Sequence, residues 1–525
     1  MRVAVIGAGL AGLAAGVELK ELGHHVELFE RSRLLGGRAT SFEIDGIEVD
    51  NGQHVFLFCC KQFLDFAERV GFADELYLQK TFEAIVLSRD GKRGRLAASP
   101  LPSPLHLMPS LMSYAYLTFN GKLRIARAIL EAMTKKASDS SAAFQSFAQW
   151  LQVVDQSPET YRAFWNPFFI PALNAPFDRV GADDALFTLR TAFLSDAASA
   201  RFGYAKVPLA HLAAKAAEKL DAVHLQEAVT AVDANVGGAD APHGGGADAP
   251  NGGGADAPHG GGAGAPHGGG AGAPPSVGNA GPRSTVILSV GASKSSAEQN
   301  DSRPEVEGQA QRRLAFDAVV IATSPKTVAK LLGDPGKYGV TNLDDYTPYP
   351  ILDVHLWHDG GSVGFEFAAA LESPLQWIFE KGPGYLSCSF SAAGEYMSMP
   401  TADLEAFAWR EVQAFVPALR NAELVRSAVT RNPEATWLPT LGMRRTSQRT
   451  KHPAVTIAGS WTATGWPDTM ESAVRSGRLA ARVLGTAHDV AYQAELEEAY
   501  RTLSVDRRQS NMPRDPSQER RHPRE

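Results

Sequence analysis

The residues best placed to do chemistry open the chain. Gly7-Ala8-Gly9-Leu10-Ala11-Gly12 is a G-x-G-x-x-G run, and an acid, Glu30, stands at the right distance after it. Each glycine in such a run answers a separate need. Gly7 makes a tight turn, Gly9 lets a backbone approach a diphosphate, and Gly12 lets a helix pack closely on a strand. Unpaired N–H groups at the start of that helix, including those of Leu10 and Ala11, would hold the diphosphate at the positive end of the dipole. Glu30 would accept from ribose hydroxyls. The chemistry expected is dinucleotide binding. No Ser-His-Asp, zinc or paired-carboxylate arrangement stands out.

The elements that must position this run are legible around it. Val3–Ile6 is a short apolar stretch of the length of a buried parallel strand. Leu13, Ala14, Val17 and Leu19 follow at helical spacing, Gly23 ends the helix, and Val26, Leu28 and Phe29 lead a second strand up to Glu30. Arg2 and the apolar run also have the composition of a signal peptide. The order strand, glycine turn, helix, strand, acid accounts for more of the residues.

Composition bounds the rest. At 525 residues the chain exceeds one ordinary core, so two or three domains are expected. A net charge of −7 argues against a nucleic-acid partner. No apolar stretch is long enough to span a bilayer. Three cysteines, Cys59, Cys60 and Cys388, form no disulfide framework and no C-x-x-C pair, which fits a reducing, cytoplasmic setting. Fifteen of the 49 glycines fall within residues 237–270, where GADAPHGG recurs with a period of eight. That tract, residues 238–285, lacks apolar anchors and is expected to be a disordered insertion, as is the charged tail 504–525. Its His243, His259 and His267 encode no ligand geometry, so no metal is expected.

Directly after Glu30 come Arg31 and Leu34-Leu35-Gly36-Gly37-Arg38, and then Asp50-Asn51-Gly52-Gln53-His54. These resemble the second glycine motif and the following segment of FAD enzymes in the amine oxidase and phytoene desaturase superfamily. The resemblance implies that Gly37 passes close to the FAD, that Arg38 lies near its phosphates, and that Gly52, Gln53 and His54 run beside the isoalloxazine. It extends to Val223–Val232, with Val229 passing the adenine, and to Asp317–Thr323, with Ala322 in a small-residue turn. It also covers Val455–Trp461, Gly465-Trp466-Pro467 and Met470–Gly477, where Gly459, Ser460, Met470 and Glu471 would meet the cofactor. The family usually has an acid where Ser460 stands, which implies weaker cofactor retention.

The implied fold is α/β, a Rossmann-type FAD-binding domain assembled from separated segments with an inserted α+β substrate domain. The FAD-binding parts are residues 1–80, 221–333 and 441–503. The substrate domain is a helical part, 81–220, and a second part, 334–440.

Within the superfamily the chain is most similar to the hydroxysqualene dehydroxylases of bacterial squalene and hopanoid synthesis, over Asp50–Val55, Trp165–Asn174, Ile351–Trp357, Gln376–Phe379 and Gly459–Gly477. That resemblance implies reduction of hydroxysqualene to squalene by hydride from reduced flavin, with an external electron donor. Such a site needs an acid for the leaving oxygen, a dry tunnel and aromatic faces near an allyl cation. Trp165, Phe168, Phe169, Trp377 and Phe379 are the candidate faces, and His54 the candidate acid. A polyisoprenoid substrate implies a peripheral association with the cytoplasmic membrane, and other squalene-pathway enzymes are implied as partners. Residues 98–118, with Leu111, Met112, Tyr114, Tyr116, Leu117 and nearby Phe119, are the candidate membrane-dipping segment or a lid over the tunnel. The alternatives are an oxidative carotenoid-type desaturase, an amine oxidase with Trp461 and Trp466 as half of an aromatic cage, and a non-catalytic FAD-bound scaffold.

Overall fold

A computed structural model describes residues 1–134, 146–235, 285–292 and 311–484. Most of the GADAPHGG tract and the whole of the 504–525 tail lie outside the described residues. The centre of the first domain is a five-stranded parallel sheet. Its order is Ala222–Leu225, His25–Glu30, Arg2–Ile6, Ala318–Ile321 and Val455–Ile457, so distant stretches of chain make one sheet. Val3, Ala4, Val5, Val26, Leu28, Val319, Val320, Val455 and Ile457 are all sealed from solvent, as strands covered on both faces must be.

Two helices lie against this sheet, Leu10–Glu21 and Met470–Arg482. A Cβ on Gly477 would stand 2.0 Å from Ala11 O, so only glycine permits the approach. Glu18 then locks the pair, accepting from Arg478 at 3.0 Å, Arg482 at 2.7 Å and Arg69 at 2.8 Å. Burial works to raise the Glu18 pKa, but the three guanidinium groups overrule it and leave it below its ordinary value.

The stretch Val223–Val232 spans parts of two strands. Gln226, at φ +58°, breaks it into Ala222–Leu225, which joins the parallel sheet, and Glu227–Asn235, which starts a three-stranded antiparallel sheet with Thr285–Ala292 and Arg312–Phe316. Nor is 81–220 wholly helical. Its strands Glu83–Leu87 and Arg93–Ala97 pair at the edge of a seven-stranded sheet whose other members come from residues 346–439.

That large sheet has two unlike faces. Leu352, Val354, Leu356, Ile378, Leu386, Cys388 and Phe390 alternate onto one face and pack with Leu404, Ala408 and Val412 of the helix Thr401–Phe415. The opposite face carries Ile351, Asp353, Trp377, Phe379, Ser389 and Ser391, and roofs a cavity shared with the first domain.

The 98–118 segment is only partly buried. Leu111, Tyr114 and Leu117 are buried, and the Tyr116 hydroxyl donates to Lys92 O at 2.7 Å. Met112 and Phe119 alone of that candidate set are exposed.

Candidate active site

One cavity of about 860 Å³ runs between the two domains. At one end it is walled by the glycine turn. Gly7 sits at φ +102°, where a Cβ would meet Ala322 O at 2.5 Å, and a Cβ on Gly12 would stand 1.9 Å from Gly7 O. Gly9 differs: at φ −71° its Cβ would meet nothing within 4 Å. It caps the helix with no side-chain hydrogen bond, and no acid occupies the first turn. The helix therefore offers its first N–H groups to whatever enters, the arrangement a diphosphate requires.

The second glycine motif folds onto the first. Gly36 N donates to Ala8 O at 2.8 Å, and a Cβ on Gly37 would press to 3.0 Å from Gly9 Cα. Glu30 accepts from Ala8 N and Ser32 N, both at 2.8 Å, which fixes its carboxylate beside the turn. Gly7, Gly9, Leu10, Ala11, Glu30, Arg31, Gly37, Arg38, Gln53, His54, Val229, Ala322, Gly459, Ser460, Met470 and Glu471 all line this cavity. Gly12 and Gly52 do not; both act one step behind it. Gly52, at φ +95°, would drive a Cβ to 2.6 Å from Asp353 Oδ2.

Arg38 is held by side chains that local sequence did not suggest. Its guanidinium donates to Ser460 Oγ, to Ala435 O at 2.8 Å, and to Asp468 at 3.1 and 3.2 Å. The Asp468 side chain is 3% exposed and also accepts from Trp437 N at 2.5 Å. The carboxylate missing at Ser460 is thus supplied eight residues later, ahead of the Thr469 helix cap. Glu471, by contrast, spends its carboxylate elsewhere. It caps the helix Lys61–Arg69 by accepting from Phe63 N at 2.8 Å and Gln62 N at 3.2 Å, so its side chain is structural.

His54 does not suit the role of acid. Its Nδ1 donates to Gly52 O at 2.9 Å, and burial lowers its pKa. At neutral pH the ring is uncharged and Nε2 is left as an acceptor.

The far end is aromatic. Phe168, Trp377 and Phe379 line it, joined by Phe187, Phe193 and Phe202. Trp377 meets Phe168 edge-on at 6.2 Å and donates its Nε1–H to Pro167 O at 3.2 Å. Trp165 and Phe169 are not part of this wall. Four residues apart, they share the rear face of the helical stretch, against Phe147 at 5.7 and 5.6 Å, and Trp165 Nε1 donates to Gln156 Oε1. Asn174, in left-handed conformation at φ +50°, ends that helix and ties it to the roof. It donates to Thr436 Oγ1 at 2.9 Å and accepts from Ala392 N at 2.7 Å.

Residues 10–249 and 294–484 match the family described as flavin containing amine oxidoreductase. The chain is similar to a probable zeta-carotene desaturase of Synechococcus elongatus, 24% identical over 94% of this chain and all of that one. It is similar to a hydroxysqualene dehydroxylase of Zymomonas mobilis, 28% identical over 33% of this chain and 39% of that one. Among solved structures, a putrescine oxidase bound to putrescine superposes with a TM-score of 0.61 at 15% identity, covering 92% of this chain and 98% of that chain.

Proposed function

The chain belongs to the flavin containing amine oxidoreductase family and is an FAD-dependent oxidoreductase, and from that premise we propose that it reduces hydroxysqualene to squalene. The observation that carries this reading is the aromatic end of the cavity. A branched polyene has no groups to hydrogen-bond and is held by buried apolar area, which Phe168, Trp377 and Phe379 supply. The same ring faces suit an allyl cation, and their bulk keeps water from it. Bound and reduced, FAD supplies hydride there. The chain's part is to seat the diphosphate on the first-turn amides, hold Arg38 through Ser460 and Asp468, and keep the far end dry.

An amine substrate fits less well. Trp461 is 2% exposed and donates to Thr323 O at 2.9 Å, while the face of Trp466 already carries the Arg475 guanidinium at 4.9 Å. Trp461 is fixed into the fold by that bond, and one face of Trp466 already holds a cation. The full-length likeness to a zeta-carotene desaturase favours a second reading, oxidative desaturation in the same cavity.

Anaerobic incubation of reduced holoenzyme with hydroxysqualene, read by mass spectrometry, separates them. Loss of the oxygen with reoxidation of the flavin is expected. Desaturation of a polyene by the oxidised enzyme, with hydroxysqualene untouched, supports the second reading. No change in either is what a scaffold would show.

The substrate enters from a lipid phase in this reading. No described helix is long and apolar enough to cross a membrane. The helix Phe119–Thr134 instead shows two apolar faces. One, with Ile125, Ala128 and Ala132, packs inward; the other exposes Phe119, Leu123, Leu130 and Met133 beside the cations Lys122 and Arg127. With Leu101, Leu105 and Met112 this is the surface we assign to the membrane. Flotation with anionic liposomes should weaken in an L123S/L130S variant; unchanged flotation removes the assignment.

A further inference from the structure

Asp353 is a buried acid that no step above employs. It lies in the strand Tyr346–His358, directly opposite Ser389 of the strand Tyr385–Ser391, and is 1% exposed. Alternation puts Asp353 and Ser389 on the roof face of the large sheet, and Ser389 lines the cavity. Ser389 Oγ donates to Asp353 Oδ1, and Gln53 N donates to the same oxygen at 3.1 Å. Gly52 leaves room for Oδ2 against the loop that carries His54.

The ionisable groups around the pair come from each neighbouring element. They are Asp50 at the end of the strand Ile47–Asp50, His54 in the loop after it, His355 on the same strand, Lys381 on the next strand but one, and Tyr385 and Cys388 on the strand of Ser389. Burial, reinforced by the Asp50 charge, raises the Asp353 pKa to about 6 against the two bonds it accepts. His355 is held neutral by burial, with a pKa lowered to about 4, and its Nδ1 pairs with the Tyr385 hydroxyl at 2.9 Å.

We propose that Ser389 and Asp353 are the proton-donating pair of this site, Ser389 touching the leaving oxygen of the substrate and Asp353 holding the proton behind it. The proposal rests on the dehydroxylation reading. In the loaded state the Asp353 carboxyl donates to Ser389 Oγ and the serine O–H faces the substrate hydroxyl. As the allylic C–O bond breaks, its electron pair leaves with the oxygen. The Ser389 proton goes to that oxygen, the Asp353 proton replaces it on the serine, and water departs. Reduced FAD, when bound, would supply the hydride for the new C–H bond. The pair ends as hydroxyl and carboxylate, the state in which Ser389 donates to Asp353, and a proton from solvent reloads it.

Single-turnover rates of the reduced holoenzyme with hydroxysqualene, measured across the neutral pH range, test the pair. Infrared difference spectra of the same proteins report the buried carboxyl independently, and flavin content reports folding. The wild-type rate is expected to fall about tenfold per pH unit above a midpoint near 6, in step with loss of a protonated carboxyl band. D353N should lose both band and limb and slow by about a hundredfold or more. S389A should slow similarly but keep the band, and D353E should recover part of the rate and the limb. Wild-type conversion whose pH limb survives in D353N overturns the pair and leaves dehydroxylation standing. No conversion by wild type at any pH overturns both.

Discussion

The two ends of the cavity are built from different material. The turn end is made of main chain: the amides after Gly9 and the close stacking of Gly37 on Gly9. The roof end is made of side chains, Trp377, Phe379, Ser389 and Asp353, delivered by strands that meet only through sheet pairing. Main chain offers one donor per residue whatever the side chain, so the turn end can be shaped only by where glycine is allowed. Side chains can be exchanged without redrawing the fold, so the roof is where substrate choice would be set.

The strongest way to break this contrast is at the glycines, because two neighbours should fail differently. In G12A the added methyl would stand 1.9 Å from Gly7 O, a backbone atom that cannot yield. We expect a loss on the order of 4 kcal/mol or more and little folded protein. In G9A the methyl meets nothing within 4 Å and φ is −71°, an ordinary value. That variant should melt like the wild type yet bind FAD at least about tenfold more weakly, since the methyl fills the diphosphate's approach. Thermal melting of the apoprotein with flavin titration reads both. A G9A protein that keeps its flavin would mean that the ligand lies elsewhere than against this turn.

The same contrast governs what was legible in sequence. Between Arg2 and Glu30 the elements follow from local order, and strand, turn, helix, strand and acid stand where the spacing places them. The aromatic wall is legible only by residue type, which groups Trp165 and Phe169 with Phe168; tertiary packing turns those two onto Phe147, behind the wall. Asp353 and Ser389 carry no signal of their own. Leu352 to Leu356 reads as an apolar strand with an acid in it, and only the register Asp353↔Ser389 gives that acid a partner. The break at Gln226 was likewise invisible, because a left-handed glutamine has no local signature comparable to glycine.

Arg38 is where the two kinds of construction meet, and it offers the finer test. It sits in the glycine motif, but Asp468, its carboxylate partner, lies 430 residues away. The serine at 460 suggested weak cofactor retention if the family's acid were simply absent. With Asp468 in place the charge is restored, and the loss should follow the carboxylate rather than the serine. D468N keeps the shape and removes the charge, so Arg38 and Trp437 N lose a charged acceptor worth about 1.5–3 kcal/mol. FAD dissociation should rise about tenfold to a hundredfold by fluorescence titration, with the fold intact by circular dichroism. S460A removes one neutral acceptor from a guanidinium that keeps its carboxylate, and should cost only about 0.5–1.5 kcal/mol. The ranking matters more than either number. Were S460A to release flavin more readily than D468N, the distant carboxylate would be a structural pin for Trp437, and retention at this end would rest on the serine hydroxyl.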